Sequence, residues 1–166
     1  MLTIKIEVDT RKLIEASKRF PKETAKTIRQ EMKAVGRDIQ VLASSTAPAG
    51  KPGKPRMLAR SVQFLVSESG MTLEERLDNN VAPYAPYVHR GTGIYGPYKK
   101  PFKVAPVTRK ALHWVQGGQK FFSKGHEVKG QRPQPFLYNA FKTLRTHIVK
   151  RLQMAIHKAI TDAGLR

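Results

Sequence analysis

The sequence predicts an α+β domain: a small antiparallel sheet packed by a long N-terminal helix and a long C-terminal helix, with long basic loops. Three observations predict it. Several short stretches alternate apolar and polar residues, as half-buried strands do. Two longer stretches repeat apolar residues three and four apart, the period of one helix face. Segments rich in glycine and proline separate the two kinds.

Residues 2–8 alternate Leu, Ile, Ile and Val with Thr, Lys and Glu, a strand pattern. Asp9 and Thr10 then offer N-cap side chains for a helix from near Arg11, which Pro21 kinks or restarts. Beyond Pro21, the residues Ala25, Ile28, Met32, Val35, Ile39 and Leu42 step by 3, 4, 3, 4, 3 along a helix reaching about residue 44. So short a seam is expected to pack within its own domain. Residues 46–56 (TAPAGKPGKPR) read as a flexible basic loop.

Ser61–Ser67 and Met71–Asn79 alternate on either side of Ser-Gly and read as an antiparallel hairpin. Val62, Phe64, Val66, Met71, Leu73 and Leu77 would face the core, with Glu74 and Arg76 toward water. An aromatic and glycine-rich stretch follows over 81–102, and 91–106 reads as a second flexible basic loop. Ala111–Val115 and Lys120–Ser123 flank Gly117-Gly118 as a second hairpin, inside a β insertion over 107–131. Finally QRPQPF opens a helix with Leu137, Phe141, Leu144, Ile148, Leu152, Ala155 and Ala159 on one face, stopped near Gly164. A length of 166 residues fits one domain, 1–166.

Charge is the strongest compositional signal: 31 Lys+Arg against 12 Asp+Glu, a formal +19. Residues 89–135 hold ten cations and a single acid, Glu127, while 61–88 hold four acids and only Arg76. Such an excess exceeds what solubility needs and points to a polyanion or an acidic protein surface. Cysteine is absent, which excludes disulfides, thiolate metal sites and cysteine nucleophiles, and fits a reducing compartment. No apolar run is long enough to span a membrane, and MLTIKIEVDT does not read as a signal peptide.

Residues 91–96 spell GTGIYG, the letters of a dinucleotide-binding turn. That turn needs a strand before it, a helix starting at its last glycine and an acid about 20 residues on. Here PYVHR precedes it, Pro97 follows it, and the next acid is Glu127. The Rossmann reading therefore fails, and the glycines are expected to serve a sharp loop. His89, His113, His126, His147 and His157 lack metal-ligand spacing, and no serine sits in a G-x-S-x-G elbow. No enzymatic activity, cofactor or metal is expected. A hydrolase using His89 with Tyr84 or Tyr87 is the weakest alternative. Lys99, Lys100 and Lys103, set among Tyr95, Tyr98 and Phe102, instead suit a basic protein that binds nucleic acid without reading its sequence.

Three stretches in order, MLARSV (57–62), YAPYVHRGTG (84–93) and RPQPFLYNAF (132–141), resemble the head–tail joining and tail-completion (minor tail, neck) proteins of long-tailed bacteriophages. YAPYVHRGTG is similar to that family's Tyr-Ala-x-Tyr-Val-Glu-x-Gly-Thr signature, and RPQPFLYNAF to the opening of its last helix. The resemblance covers about residues 10–160. It departs where the family usually has an acid and this chain has His89, which leaves the role of that position open.

The resemblance implies a non-enzymatic virion protein, assembled in the host bacterial cytoplasm as a ring of six copies. That ring would join head-completion or connector proteins to the tail-terminator and tail-tube proteins around the DNA channel. It also implies subunit or partner contacts at Tyr84, Tyr87, His89, Arg90, Gly91, Thr92, Arg132, Pro133 and Phe136. Lys51, Lys54, Arg56, Lys99, Lys100 and Lys103 would face genomic DNA or an acidic neighbour. The competing expectation for Tyr84, Tyr87 and Phe136 is that their rings simply fill the core beneath the loop.

Overall fold

The computed structural model describes residues 3–7, 22–49, 56–68 and 72–162. The expected helix from Arg11, its break at Pro21, the core position Met71, the cations Lys51 and Lys54 and the stop at Gly164 lie outside these residues. The chain divides into two compact units, Met1–Ala85 with Pro135–Arg166 and, between them in sequence, Pro86–Gln134. The class is mixed helix and sheet, with small antiparallel sheets and a long C-terminal helix.

In the first unit, β1 (Thr3–Glu7), β2 (Val62–Val66) and β3 (Thr72–Leu77) form an antiparallel sheet in the order β1-β3-β2. The register sets Val62 opposite Leu77, Phe64 opposite Glu75 and Val66 opposite Leu73. Alternation therefore puts these six side chains on one face. Helix α1 (Lys22–Thr46) packs on β2 and β3, burying Ile28, Met32, Val35, Gly36, Ile39 and Ala43. The expected seam is thus intramolecular, although Ala25 is exposed and Leu42 only half-buried.

Helix α4 (Phe136–Asp162) makes its main contact with α1. Leu137, Ile148, Leu152 and Ala159 are buried as their spacing implies, and Phe136 and Ala140 join them. Phe141, Leu144 and Ala155 stay half-buried. Arg151 ties the two helices by donating from Nε to Glu31 Oε1 at 2.6 Å and from Nη1 to Asp38 Oδ2.

Polar bonds fix the entry to the sheet. MLAR, between the expected loop and the expected strand, forms a short helix α2 (Met57–Arg60). Ser61, wholly buried, donates to Leu58 O at 2.7 Å, and Gln40 Nε2 donates to Val62 O at 2.8 Å. Arg56 Nη2 donates to the carbonyls of Ser44, Ser45 and Ala47 at 3.2–3.3 Å. A cation at the negative end of α1 satisfies carbonyls that have no intrahelical partner. Arg56 therefore also caps a helix, beyond the contact with DNA or an acidic neighbour expected of it.

The second unit holds α3 (Ala85–Arg90, whose first residue belongs to the first unit), a 3-10 turn (Gly93–Tyr95), and four strands: β4 (Phe102–Val104), β5 (Leu112–Gln116), β6 (Gln119–Ser123) and β7 (His126–Val128). β4 pairs with β7, and the β5–β6 hairpin is nested between them in sequence. The β excursion therefore begins at 102, earlier than expected, and part of 91–106 is ordered structure, not loop. Gly117 and Gly118 turn the hairpin with φ of +58° and +81°, the paired positive angles of a type I′ turn. The ends of the unit meet, because Gln134 N–H donates to Val88 O at 2.9 Å.

Candidate functional site

The GTGIYG segment is a clasp between two strands of chain. Thr92 N–H donates to Gln131 O and Ile94 N–H to Lys129 O, while Thr92 Oγ1 accepts from Gln131 N–H at 2.9 Å. Gly91, Gly93 and Gly130 adopt φ of +78°, +62° and +96° there. A Cβ on Gly93 would overlap the Lys129 carbonyl, and one on Gly130 the Thr92 carbonyl. The glycines thus admit the neighbouring backbone. The amides of Thr92, Ile94, Tyr95 and Gly96 all donate within the chain, so these four are not free to cradle a pyrophosphate. The preceding residues form helix α3, not a strand, and none starts at Gly96.

Beside the clasp lies a half-open groove of about 670 Å³. Three proline–aromatic pairs wall it: Pro86-Tyr87, Pro97-Tyr98 and Pro101-Phe102. Gly91, Thr92, Gly93 and Gly96 also line it, and its cations are Arg90 and Lys100. Tyr87 is 63 % exposed and Tyr98 87 % exposed, so the rings stand open to a partner. The aromatics of this stretch were visible in the sequence, but their convergence on one groove was not. The repeated Pro-aromatic dipeptide was the signal available.

The remaining predicted site residues fall into three groups. Arg90, Pro133, Lys99, Lys100 and Lys103 are exposed, and Thr92 is half-buried in the clasp. Arg132 is exposed but sits over the Tyr95 ring at 5.5 Å, a cation–π contact that holds both. Phe136, expected to meet a neighbouring subunit, is 3 % exposed and belongs to the core, whereas Tyr84, for which the core was the competing expectation, is 46 % exposed. His89 is buried as well, and burial, reinforced by the charge of Arg90, lowers its pKa. A buried, neutral imidazole is not a surface contact.

Glu75 belongs to no motif in the sequence. It lies between Leu73 and Leu77 on the helix-facing side of β3 and is wholly buried. Among the described residues neither carboxyl oxygen has a hydrogen-bond partner, and desolvation raises its pKa from 4.5 to about 8. The sequence signal was parity: Glu75 shares its alternation with two leucines.

The β5–β6 hairpin exposes aromatics on both faces. Trp114 stacks on Phe121 at 5.6 Å and meets His126, while His113 meets Phe122 at 4.9 Å on the other side. Among the described residues no cluster of three His, Asp or Glu could hold a metal ion, and no helix is long and apolar enough to cross a membrane. No family model, curated protein or solved structure matches this chain.

Proposed function

We propose that this protein is a structural virion component of a long-tailed bacteriophage, an adaptor of the head–tail joint that docks through Pro86–Gln134. The observation that carries the reading is the composition of that segment. It holds ten cations (Arg90, Lys99, Lys100, Lys103, Arg109, Lys110, Lys120, Lys124, Lys129 and Arg132) against the single acid Glu127. Among the described residues it also holds ten of the sixteen large apolar side chains that are exposed. A unit so basic and so apolar at its surface gains by being covered by an acidic partner. The ordered motifs at 57–62, 84–93 and 132–141 supply the phage context, and with it a ring of six copies around the DNA channel.

The test is assembly. Added to phage particles lacking this component, the purified protein restores joined heads and tails in electron micrographs. Charge reversal at Lys99, Lys100 and Lys103 abolishes joining while circular dichroism stays unchanged. Normal joining by that variant refutes a docking role for these cations. The alternative, a non-specific nucleic-acid-binding protein, is favoured by the same lysines interleaved with Tyr95, Tyr98 and Phe102. Light scattering on the isolated protein with short duplex DNA separates the two. A monomer that binds the duplex tightly at physiological salt supports the alternative.

A further inference from the structure

We propose that the groove walled by Pro86-Tyr87, Pro97-Tyr98 and Pro101-Phe102 receives an extended, acidic, proline-bearing segment of another protein. The inference rests on the reading of Pro86–Gln134 as the docking unit and names what that unit grips. Tyrosine and phenylalanine present large rigid surfaces at small entropic cost. Each ring here follows a proline, whose fixed φ stiffens the wall that carries it. Ridges of aromatic rings with furrows between them fit a polyproline II chain, which is already extended before binding and therefore loses little entropy on docking. A volume of about 670 Å³ accommodates a few residues of such a chain.

Charge selects the class of partner. Among the described residues, Arg90 and Lys100 are the groove's two cations, and no acid lines it. Carboxylates flanking the prolines of a ligand would meet them. The proline-rich segment of this chain itself, residues 46–56, carries Lys51, Lys54 and Arg56 and no acid, so a second copy would be repelled. Single-stranded nucleic acid fits less well. A phosphate backbone is tracked by cations set along the whole path, whereas here prolines and rings form most of the wall. The loop amides that would otherwise hold phosphate are already donating to Gln131, Lys129, Thr92 and Gly93.

The experiment titrates the full-length protein into a fluorescein-labelled peptide of roughly ten residues, with alternating Glu-Pro and Tyr-Pro pairs, and follows anisotropy. Parallel titrations use the same peptide with Gln for Glu, and an oligo-dT of equal charge. Expected are saturable binding of the acidic peptide at physiological salt and roughly tenfold weakening in Tyr98→Ser. The Gln peptide and the Lys100→Glu variant should also bind several-fold more weakly. Tyr98 and Lys100 are exposed, so both variants keep the fold, which circular dichroism and Trp114 emission verify. Absence of peptide binding, binding unaffected by Tyr98→Ser, or tighter binding of the oligo-dT overturns the proposal. Failure here with joining still blocked by lysine reversal would sink the ligand assignment alone. Failure of both would sink the docking unit itself.

Discussion

The Cβ that Gly36 lacks would stand 2.6 Å from Cδ2 of Phe64, so α1 and the sheet approach at a distance that only glycine permits. Leu73 Cδ1 closes the same spot at 2.9 Å. Alanine is the better helix former by about 1 kcal/mol, but overpacking costs about 1–3 kcal/mol when the neighbour is a ring anchored on a strand. The steric term wins. Gly36→Ala lowers stability by up to about 2 kcal/mol in denaturant unfolding, and Gly36→Val lowers it further. The loss shrinks in a Phe64→Leu background; an undiminished loss there would show that the contact is not its cause.

Glu75 makes the first unit less stable as pH rises. Its carboxyl titrates at about 8 when folded and near 4.5 when unfolded. Between those values the native state keeps a proton that the unfolded chain has lost. Stability is therefore full below pH 4.5, falls through the window and levels above 8, a total of order 3–5 kcal/mol. Glu75→Gln flattens the profile and Glu75→Leu raises stability at pH 8. Far-UV circular dichroism reads this, because the two long helices belong to that unit.

His89 should give the opposite slope in the second unit. Its folded pKa lies below 6.5, lowered by burial and then by Arg90, so its contribution is present above pH 6.5 and lost as pH falls. The chain's one tryptophan, Trp114, lies in that unit and reports it separately. Acidification from pH 7 to 5 should lower the denaturant midpoint seen by Trp114 emission, and His89→Gln should remove most of that drop. An unchanged pH slope in the variant excludes His89 as its source.

The readable parts of this fold were those governed by local periodicity. The spacing of Ile28, Met32, Val35 and Ile39 marked α1, and the alternation around Val62–Val66 and Thr72–Leu77 marked the sheet's hairpin. Gly117-Gly118 marked the second hairpin and its turn. What escaped depends on partners far apart in sequence. Pro86, Pro97 and Pro101 line one groove, and residues 129–131 fold back on 92–94 beside it, relationships no local pattern announces. Arg56 resembled a free loop cation because its acceptors, the carbonyls of Ser44, Ser45 and Ala47, are backbone atoms. Phe136 seemed free for a partner because only its tertiary setting buries it.

Arg151 should contribute modestly and in a salt-dependent way. It bridges Glu31 and Asp38 across α1 and α4, but its side chain is 24 % exposed and those of its partners 27 % and 48 %. Solvent screens such a pair, so Arg151→Met costs about 1 kcal/mol at low salt and less in molar salt. Ile148→Ala on the same helix, at a site 4 % exposed, costs about 2–5 kcal/mol through a cavity and shows no salt dependence. Equal salt responses in the two variants would contradict this account.

The clasp offers a way to disable the groove without touching its three proline–aromatic pairs. Gly93→Ala places a methyl against the Lys129 carbonyl, a backbone atom that cannot swing aside, and does so at a φ of +62° that alanine disfavours. Gly130→Ala repeats the clash against Thr92 O from the opposite strand. Gly117→Ala is the control: its φ of +58° is equally unfavourable, yet no atom stands within 4 Å of the added carbon. Backbone strain alone therefore predicts equal damage from Gly93→Ala and Gly117→Ala, about 1–2 kcal/mol. A clash at the clasp predicts that Gly93→Ala and Gly130→Ala open the 88–94 and 129–134 segments to proteolysis while Gly117→Ala leaves them protected. Cleavage at those segments in all three variants, or in none, would show that the clasp does not hold the groove in shape.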